Sequence, residues 1–227
     1  MLRILVIAVL AVGALANKYE VAIEEELEEL CKMNGAEDKI EEVRNATSNL
    51  FSCLRNCTNG QSIVAEIEAA PMSTRGKVIK KYCDKTPQME QCINAFIDGI
   101  SPCFDEPSRS SIPDAKFLVH QFFLYVCGNH GNWILRFIEE RGPECVSNNI
   151  DAMKQCLDTA RTSVPNADAH VVEQCAKYDR MTSCVVISLK ECPSSNVGNM
   201  AESLFSYIRK QSPCKDITEV MISSNKP

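Results

Sequence analysis

Thirteen cysteines are the side chains of this sequence that can do the most chemistry. They are Cys31, Cys53, Cys57, Cys83, Cys92, Cys103, Cys127, Cys145, Cys156, Cys175, Cys184, Cys192 and Cys214. In an oxidising compartment cysteines pair into disulfides, whereas in a reducing one they act as metal ligands or nucleophiles. The odd total leaves one thiol free, or pairs it with a second chain in a disulfide-linked dimer.

The first sixteen residues decide between these chemistries. Arg3 precedes an apolar stretch from Ile4 to Leu15, and Ala14-Leu15-Ala16 is an A-x-A cleavage signature, so residues 1–16 are predicted to be a secretory signal peptide. No later run of about 18 uncharged apolar residues follows, so we expect no membrane anchor. We therefore predict a secreted, extracellular protein whose cysteines are mostly disulfides, with a polar C-terminal tail over residues 215–227.

Motifs for catalysis or metal binding are missing. Cys127 and His130 place a thiol near an imidazole, but in a secreted chain a disulfide beside a loop histidine is the stronger interpretation. The other histidines are His120 and His170, and the sequence contains neither H-E-x-x-H nor G-x-S-x-G. We predict no enzyme, no catalytic residue, no metal and no cofactor.

The charge balance excludes nucleic acid as a partner. Removing the leader deletes one base, Arg3, from 24 Lys and Arg against 30 Asp and Glu, which takes the formal net charge from −6 to −7. No basic surplus remains to neutralise phosphates.

Apolar residues recur at helical spacing, and period-two strand patterns are hard to find. In one segment the apolar side chains fall within an arc of about 100°; they are Ile40, Val43, Leu50, Phe51 and Leu54. Another helix starts after Pro87, and a third contains the apolar stretch 117–126, which we expect to be the most buried segment. Gly128 to Gly131 should break it. Further helical patterns cover about 147–161, 167–178, 179–192 and 198–211. The fold class predicted is an all-α, disulfide-rich helical bundle.

The cysteine spacing suggests an internal repeat. Cys83, Cys92, Cys103 and Cys127 are separated by 8, 10 and 23 residues, and Cys175, Cys184, Cys192 and Cys214 by 8, 7 and 21. Cys53-Leu54 and Cys156-Leu157 extend the correspondence. Residues 17–214 would then form two similar helical units, about 17–127 and 128–214, packed as one body; chance spacing among many cysteines is the alternative.

Helix geometry limits which cysteines can pair. Residues nine apart in one helix are about 13 Å apart, while bridged Cα atoms lie within about 7 Å. Cys83–Cys92 and Cys175–Cys184 are thus unsuitable pairs if each stretch is one unbroken helix. Cys53 and Cys57 lie one turn apart, and we expect them to bridge to two different neighbours. Connectivity beyond this is not readable from sequence.

Two sequons, at Asn45 and Asn56, mark candidate N-glycosylation sites. On the helical wheel of residues 40–54 both asparagines point away from the apolar arc, as a glycan requires. Asn56 is the weaker candidate, because the middle residue of its sequon is a cysteine that a disulfide would lock.

The chain resembles the insect 27 kDa haemolymph glycoprotein family. The resemblance is carried by Phe122-Phe123-Leu124-Tyr125-Val126-Cys127-Gly128, by Trp133-Ile134-Leu135-Arg136-Phe137-Ile138 and by Gly142-Pro143-Glu144-Cys145. It implies a soluble glycoprotein of insect body fluid and no enzymatic role.

Two functions fit these features. The first is a non-enzymatic carrier of an apolar small molecule, in which Phe117, Phe122, Phe123, Trp133 and Phe137 line a cavity; the same residues could equally form an ordinary core. Insect odorant-binding proteins offer an architectural analogy through Cys53-x3-Cys57, although the other cysteine gaps fit them poorly. The second is a structural or defence-related protein that acts through protein contacts.

Overall fold

A computed structural model describes residues 16–58, 63–159 and 170–217. Within these ranges the chain forms helices and turns, and no strand occurs, so the predicted all-α, disulfide-rich class is confirmed. The predicted signal peptide lies outside the described residues except for Ala16. Of the predicted C-terminal tail, residues 218–227 lie outside them. The chain divides into two compact units, residues 1–132 and 133–227.

The first unit contains seven helices among the described residues. They are α1 (Ala16–Met33), α2 (Ile40–Thr58), α3 (Ile63–Ala69), α4 (Met72–Cys83), α5 (Thr86–Ile100), α6 (Glu106–Ser110) and α7 (Ile112–Glu139), whose last turns belong to the second unit. Short 3₁₀ turns, Glu37–Lys39 and Ser101–Cys103, precede α2 and follow α5. The predicted α2 is confirmed, because its apolar arc is the face that packs on α5.

The core of the first unit lies mainly between α2 and α5. Its largest fully buried side chains there include Leu50, Phe51, Ile93 and Ile97. The expectation that residues 117–126 are the most buried was wrong: Phe117 and Leu124 are 47% and 52% exposed. These two residues are seven apart, or two helical turns, so one face of α7 is apolar yet open while the opposite face packs.

The break predicted at residues 128–131 is present inside α7. Asn129, His130 and Gly131 all have positive φ, at 48°, 59° and 72°. Gly131 cannot carry a side chain there, because a Cβ would lie 2.1 Å from Cγ2 of Ile79. The boundary between the two units follows directly after this left-handed segment.

The second unit contains the end of α7 followed by α8 (Gly142–Asn148), α9 (Ile150–Thr159), α10 (His170–Lys190) and α11 (Asn196–Gln211). Two boundaries differ from prediction. The pattern at 147–161 is divided by a turn at Asn149, and the patterns at 167–178 and 179–192 form one helix. Asp179, expected at a helix start, instead lies within α10 and accepts hydrogen bonds from Arg209 of α11 at 2.7 and 3.0 Å.

Each unit contains three disulfides. The first has Cys31–Cys103, Cys53–Cys92 and Cys83–Cys127, and the second has Cys145–Cys192, Cys156–Cys184 and Cys175–Cys214, with Cα–Cα distances of 4.4 to 5.8 Å. If Cys57 is left aside, both units join their first cysteine to the fifth, the second to the fourth and the third to the sixth. That common order is what the predicted repeat requires.

The two pairs that helix geometry disfavoured do not form. Cys175 and Cys184 lie in one continuous α10, as the reasoning assumed. Cys83 and Cys92 lie on separate helices, because α4 ends at Cys83 and α5 begins at Thr86. The exclusion of Cys175–Cys184 therefore held for the reason given. The exclusion of Cys83–Cys92 was also correct, but its condition of one unbroken helix was not met.

Candidate functional site

A groove between α2 and α5 is one recess of the described residues with room for a small molecule. It has a volume of about 360 Å³, and ligand pockets commonly have volumes of about 300–1,000 Å³. The groove is lined by Glu42, Asn45, Ala46, Asn49, Leu50, Cys92, Ala95, Phe96 and Gly99. We call this set the α2–α5 groove.

The floor of the α2–α5 groove is apolar and its rim is polar. Leu50 and Phe96 are each 2% exposed and Cys92 is 4% exposed, so they form a fixed floor. Glu42, Asn45 and Asn49 are exposed on α2 and can offer hydrogen bonds at the edge. An apolar surface with a few polar groups at its border is typical of small-molecule sites.

One close contact fixes the spacing of the two helices. A Cβ at Gly99 would lie 2.6 Å from the Cβ of Ala46, so two small residues allow α2 and α5 to approach each other at one end of the groove. Sequence reasoning missed the groove, because its signal is only a glycine in the last turns of α5 opposite an alanine on α2. Such a pairing cannot be recognised before the helix packing is known.

A second recess, of about 470 Å³, lies beside the 3₁₀ turns. Its polar side chains already have partners: Asn34 donates to the Cys103 carbonyl at 2.8 Å, and Arg109 donates to the carbonyls of Phe104 and Pro102 at 2.9 and 3.3 Å. Lys39 pairs with Glu42 at 2.7 Å. These groups hold the turns together, so this recess is the weaker candidate.

Three cysteines lie together where α2 packs on α5, and one of them, Cys92, lines the α2–α5 groove. Cys53 of α2 is bridged to Cys92 of α5, and the Sγ of Cys57, one turn further along α2, lies 3.9 Å from the Sγ of Cys92. Cys57 is the one unpaired cysteine of the chain and is 7% exposed. The prediction that Cys53 and Cys57 each bridge to a neighbour was right for Cys53 and wrong for Cys57. We call these three residues the sulfur cluster.

Both sequon asparagines are exposed on α2. Asn45 lies on the rim of the α2–α5 groove. Its partner in the sequon, Thr47, is fully buried and donates a hydrogen bond to the Val43 carbonyl at 3.0 Å. Asn56 flanks the sulfur cluster, and since Cys57 is not bridged, no disulfide locks that sequon. Glycosylation at either position stays a prediction.

The five aromatic residues expected to line a cavity are distributed between the two units. In the first, Phe117 is exposed, while Phe122 and Phe123 pack edge to face with centroids 5.4 Å apart. In the second, Trp133 stacks on Phe137 at 5.0 Å. The cavity itself stays a prediction.

Two histidines of the described residues lie near a cysteine or a carboxylate. Cys127 is bridged to Cys83, so it offers no thiol to the nearby His130, which is exposed. Nδ1 of His120 lies 3.1 Å from a Glu90 oxygen in an exposed pair. In the described ranges no group of three or more His, Cys, Asp or Glu side chains is arranged to hold a metal ion.

The clearest pKa shifts belong to contacts that join helices. Hydrogen bonds from Lys81 and Tyr82 lower the pKa of Glu66. Burial, with the hydrogen bond to Glu66, raises the pKa of Tyr82 to about 12. Hydrogen bonds from Ser194 and Asn196 lower the pKa of Glu140. None of these groups lines the α2–α5 groove, so they join neighbouring segments and are not placed for ligand chemistry.

A search for membrane-crossing helices over the described residues finds none of sufficient length and apolarity.

Comparisons with known proteins identify relatives over nearly the whole chain. A family described as "Protein of unknown function (DUF1397)" matches residues 18–214. The chain is 35% identical to a 27 kDa hemolymph protein of Galleria mellonella, with 94% of this chain and 96% of the relative covered. It is 37% identical to a 27 kDa glycoprotein of Bombyx mori, with the same coverage.

A third relative, a 27 kDa hemolymph glycoprotein of Manduca sexta, is 34% identical over 93% of this chain and 96% of its own length. No solved structure matches the chain. The resemblance seen around the Phe122–Cys145 motifs is thereby confirmed. The chain belongs to the DUF1397 family, which includes the insect 27 kDa haemolymph proteins.

Proposed function

We propose that this protein is a secreted, non-enzymatic haemolymph glycoprotein that binds a small apolar ligand in the α2–α5 groove. The names of the Galleria mellonella and Manduca sexta relatives support the haemolymph location, and those of the Bombyx mori and Manduca sexta relatives support glycosylation. The predicted leader and the two sequons of this chain agree with both. Six disulfides are typical of a protein that works outside the cell.

The observation that carries the binding role is the lining of the groove. Its floor is built from side chains that stay in place without ligand, since Leu50 and Phe96 are buried in the core between α2 and α5. A ligand therefore meets a preformed apolar surface, and little side-chain ordering opposes binding.

The size of the groove limits the affinity. A ligand that buries about 200 Å² of apolar surface gains about 5 kcal/mol at about 25 cal/mol per Å², before association costs. Apolar contact alone thus supports a dissociation constant no tighter than about 0.1 mM. Tighter binding requires a hydrogen bond at the rim, where Asn49 is the side chain that neither pairs with Lys39 nor belongs to a sequon, and this favours a ligand with an apolar body and one polar end.

Displacement of an apolar fluorescent probe tests this role. Ala95 is exposed at the groove, so Ala95→Trp fills the recess without replacing a core side chain. Ala69 is exposed on α3 outside the groove, and Ala69→Trp is the matched control. We expect Ala95→Trp to weaken probe binding at least about tenfold, which is 1.4 kcal/mol, and Ala69→Trp to leave it unchanged. Equal saturable binding by both variants would exclude the groove, and no saturable binding by the parent would exclude the carrier role.

A second function, action through protein contacts, is favoured by the exposed face of α7. Phe117 and Leu124 are both about half exposed and lie on one side of that helix. Exposed large apolar side chains that recur on one side of a helix, here on both sides of the exposed His120, are the feature that favours a protein contact. If the protein works in this way, its complex in haemolymph should be lost when both residues are changed to Gln. Elution of the parent protein at the size of the free chain would reject this alternative.

A further inference from the structure

The sulfur cluster combines a disulfide with a free thiol in contact. Cys53 and Cys57 lie one turn apart on α2 and face the same helix, α5, which carries Cys92. The sulfurs of Cys57 and Cys92 are 3.9 Å apart. Lys85, at the start of α5, donates to the Cys57 carbonyl at 2.6 Å and holds this end of α2 against α5. Cys57 is therefore kept beside the disulfide by packing and by a backbone contact.

We propose that the Cys53–Cys92 disulfide is exchangeable, with Cys92 pairing in turn with Cys53 and with Cys57. The Cys57 thiolate attacks the Cys92 sulfur, the Cys53–Cys92 bond breaks, and a Cys57–Cys92 bond forms. Cys53 leaves as a thiolate and takes up the proton that Cys57 lost. One bond forms and one breaks between the same kinds of atom, so no oxidant or reductant is consumed.

The attacked atom follows from the geometry. The Cys57 sulfur lies 3.9 Å from the Cys92 sulfur, and attack on that atom releases the half-buried Cys53. Both α2 residues face α5, and the two sulfurs that would bond are already in contact. For the exchange, the Sγ atoms of Cys57 and Cys92 must close from 3.9 Å to the disulfide bond length of about 2 Å.

The consequence is a change in where the free thiol lies. In the structure it is at Cys57, which is 7% exposed, and after exchange it is at Cys53, which is half-buried. The exchange therefore moves the free thiol from a buried to a more solvent-accessible position. A small external disulfide would then react at Cys53: the Cys53 thiolate attacks one of its sulfurs, a mixed disulfide forms, and the other half leaves as a thiolate.

The second unit provides an internal control. Its corresponding bridge, Cys156–Cys184, joins α9 to α10 in the same order as Cys53–Cys92 joins α2 to α5. The residue four positions after Cys156 is Ala160, whereas the residue four positions after Cys53 is Cys57. The second bridge has no neighbouring thiol in the sequence and should not exchange.

Peptide mapping of the native full-length protein detects the exchange. Trypsin cuts after Arg55, between Cys53 and Cys57, and cleavage before Asp98 separates Cys92 from Cys103. The folded protein is incubated with iodoacetamide, acid-quenched and digested after removal of N-glycans. We expect the label to accumulate on Cys53. Peptides joined by a Cys57–Cys92 bridge should appear at the same time, while Cys156 and Cys184 stay unlabelled. Label confined to Cys57, with Cys92 joined only to Cys53, would overturn the proposal.

A pair of variants gives a second readout as a count of thiols in denaturant. Cys53→Ser keeps twelve cysteines. If Cys57 forms a disulfide with Cys92, the number of free thiols per chain is zero, and otherwise it is two. Cys156→Ser also keeps twelve, and since Cys184 has no replacement partner the count should be two. Two thiols in Cys53→Ser would contradict the proposal. If that variant does not fold, the mapping of the parent protein decides.

Discussion

Replacing Gly131 by alanine should destabilise the first unit more than the same change at Gly35, Gly99 or Gly128. Gly131 has a φ of 72°, in the left-handed region, and its missing Cβ would lie 2.1 Å from Cγ2 of Ile79. Two independent costs therefore meet at one position. The first is backbone strain, and the second is a clash with a side chain that is only 1% exposed.

The magnitude follows from these two costs. A left-handed conformation costs a non-glycine residue about 1–2 kcal/mol. Forcing extra volume into a close-packed site costs about 1–3 kcal/mol, because Ile79 cannot move without opening its own contacts. The expected loss in the free energy of unfolding is thus about 2–5 kcal/mol.

Three other glycines separate the two costs. Gly35 has a φ of 67° and open space around it, so Gly35→Ala should cost only the strain, about 1–2 kcal/mol. Gly99 is helical but close to Ala46, so Gly99→Ala carries only the clash, partly offset by about 1 kcal/mol of helix propensity. Gly128 has a φ of −57° and no neighbour within 4 Å, so Gly128→Ala should be neutral or slightly stabilising.

Urea unfolding followed by far-ultraviolet circular dichroism, with the disulfides intact, measures all four variants. The order of stability should be Gly128→Ala, then Gly35→Ala and Gly99→Ala, then Gly131→Ala. If Gly131→Ala unfolds at the same urea concentration as Gly128→Ala, the left-handed segment in α7 and its contact with Ile79 are wrong.

Four further outcomes are expected. Asn45→Gln should lower the apparent mass of the secreted protein by one N-glycan and leave the melting temperature unchanged, because Asn45 is exposed; electrophoresis before and after enzymatic deglycosylation checks this, and unchanged migration would mean an empty site. Arg209→Ala should lower the free energy of unfolding in urea by about 1–3 kcal/mol, since Arg209 binds Asp179 and the Cys214 carbonyl. Lys80→Ala should lower it by at most about 1 kcal/mol, because the Lys80–Asp84 pair is exposed. Equal losses in the two variants would contradict this difference. The raised pKa of Tyr82 means that its stabilising contribution is complete below pH 10 and is lost as the pH rises through about 12, so the phenolate absorbance that Tyr82→Phe removes should develop near pH 12; a midpoint near 10 would refute its burial. Reduction of all six bridges should unfold the protein, because each contributes about 2–4 kcal/mol against a net stability of about 5–15 kcal/mol; retention of helical circular dichroism after complete reduction would disprove this.

Residues on regular helices were largely predictable from the sequence. The apolar face of α2 could be predicted from the spacing of its apolar residues, because the one face that packs determines which positions are apolar. Leu50 and Phe51 on that face are buried as expected. The exposure of Phe117 and Leu124 was not predictable. An apolar stretch indicates a helix, but which of its faces finds a partner depends on helices distant in sequence.

The connectivity of the cysteines and the groove required the structure. Spacing could exclude pairs within one helix, yet the choice of Cys53 over Cys57 as partner of Cys92 depends on the packing of α2 on α5. The same packing produces the contact of Ala46 with Gly99. The burial of Thr47 was likewise not predictable from its polarity. Its side chain is fully buried because the hydroxyl donates a hydrogen bond to the Val43 carbonyl of the same helix.

Native mass spectrometry of the protein purified from haemolymph tests the proposed carrier role most directly. The mass of the intact protein should exceed that of the mature polypeptide plus its N-glycans by the mass of one small apolar molecule. Extraction with organic solvent should remove this excess, and Ala95→Trp should lack it while Ala69→Trp retains it. A native mass that polypeptide and glycans account for completely would contradict ligand binding in the α2–α5 groove.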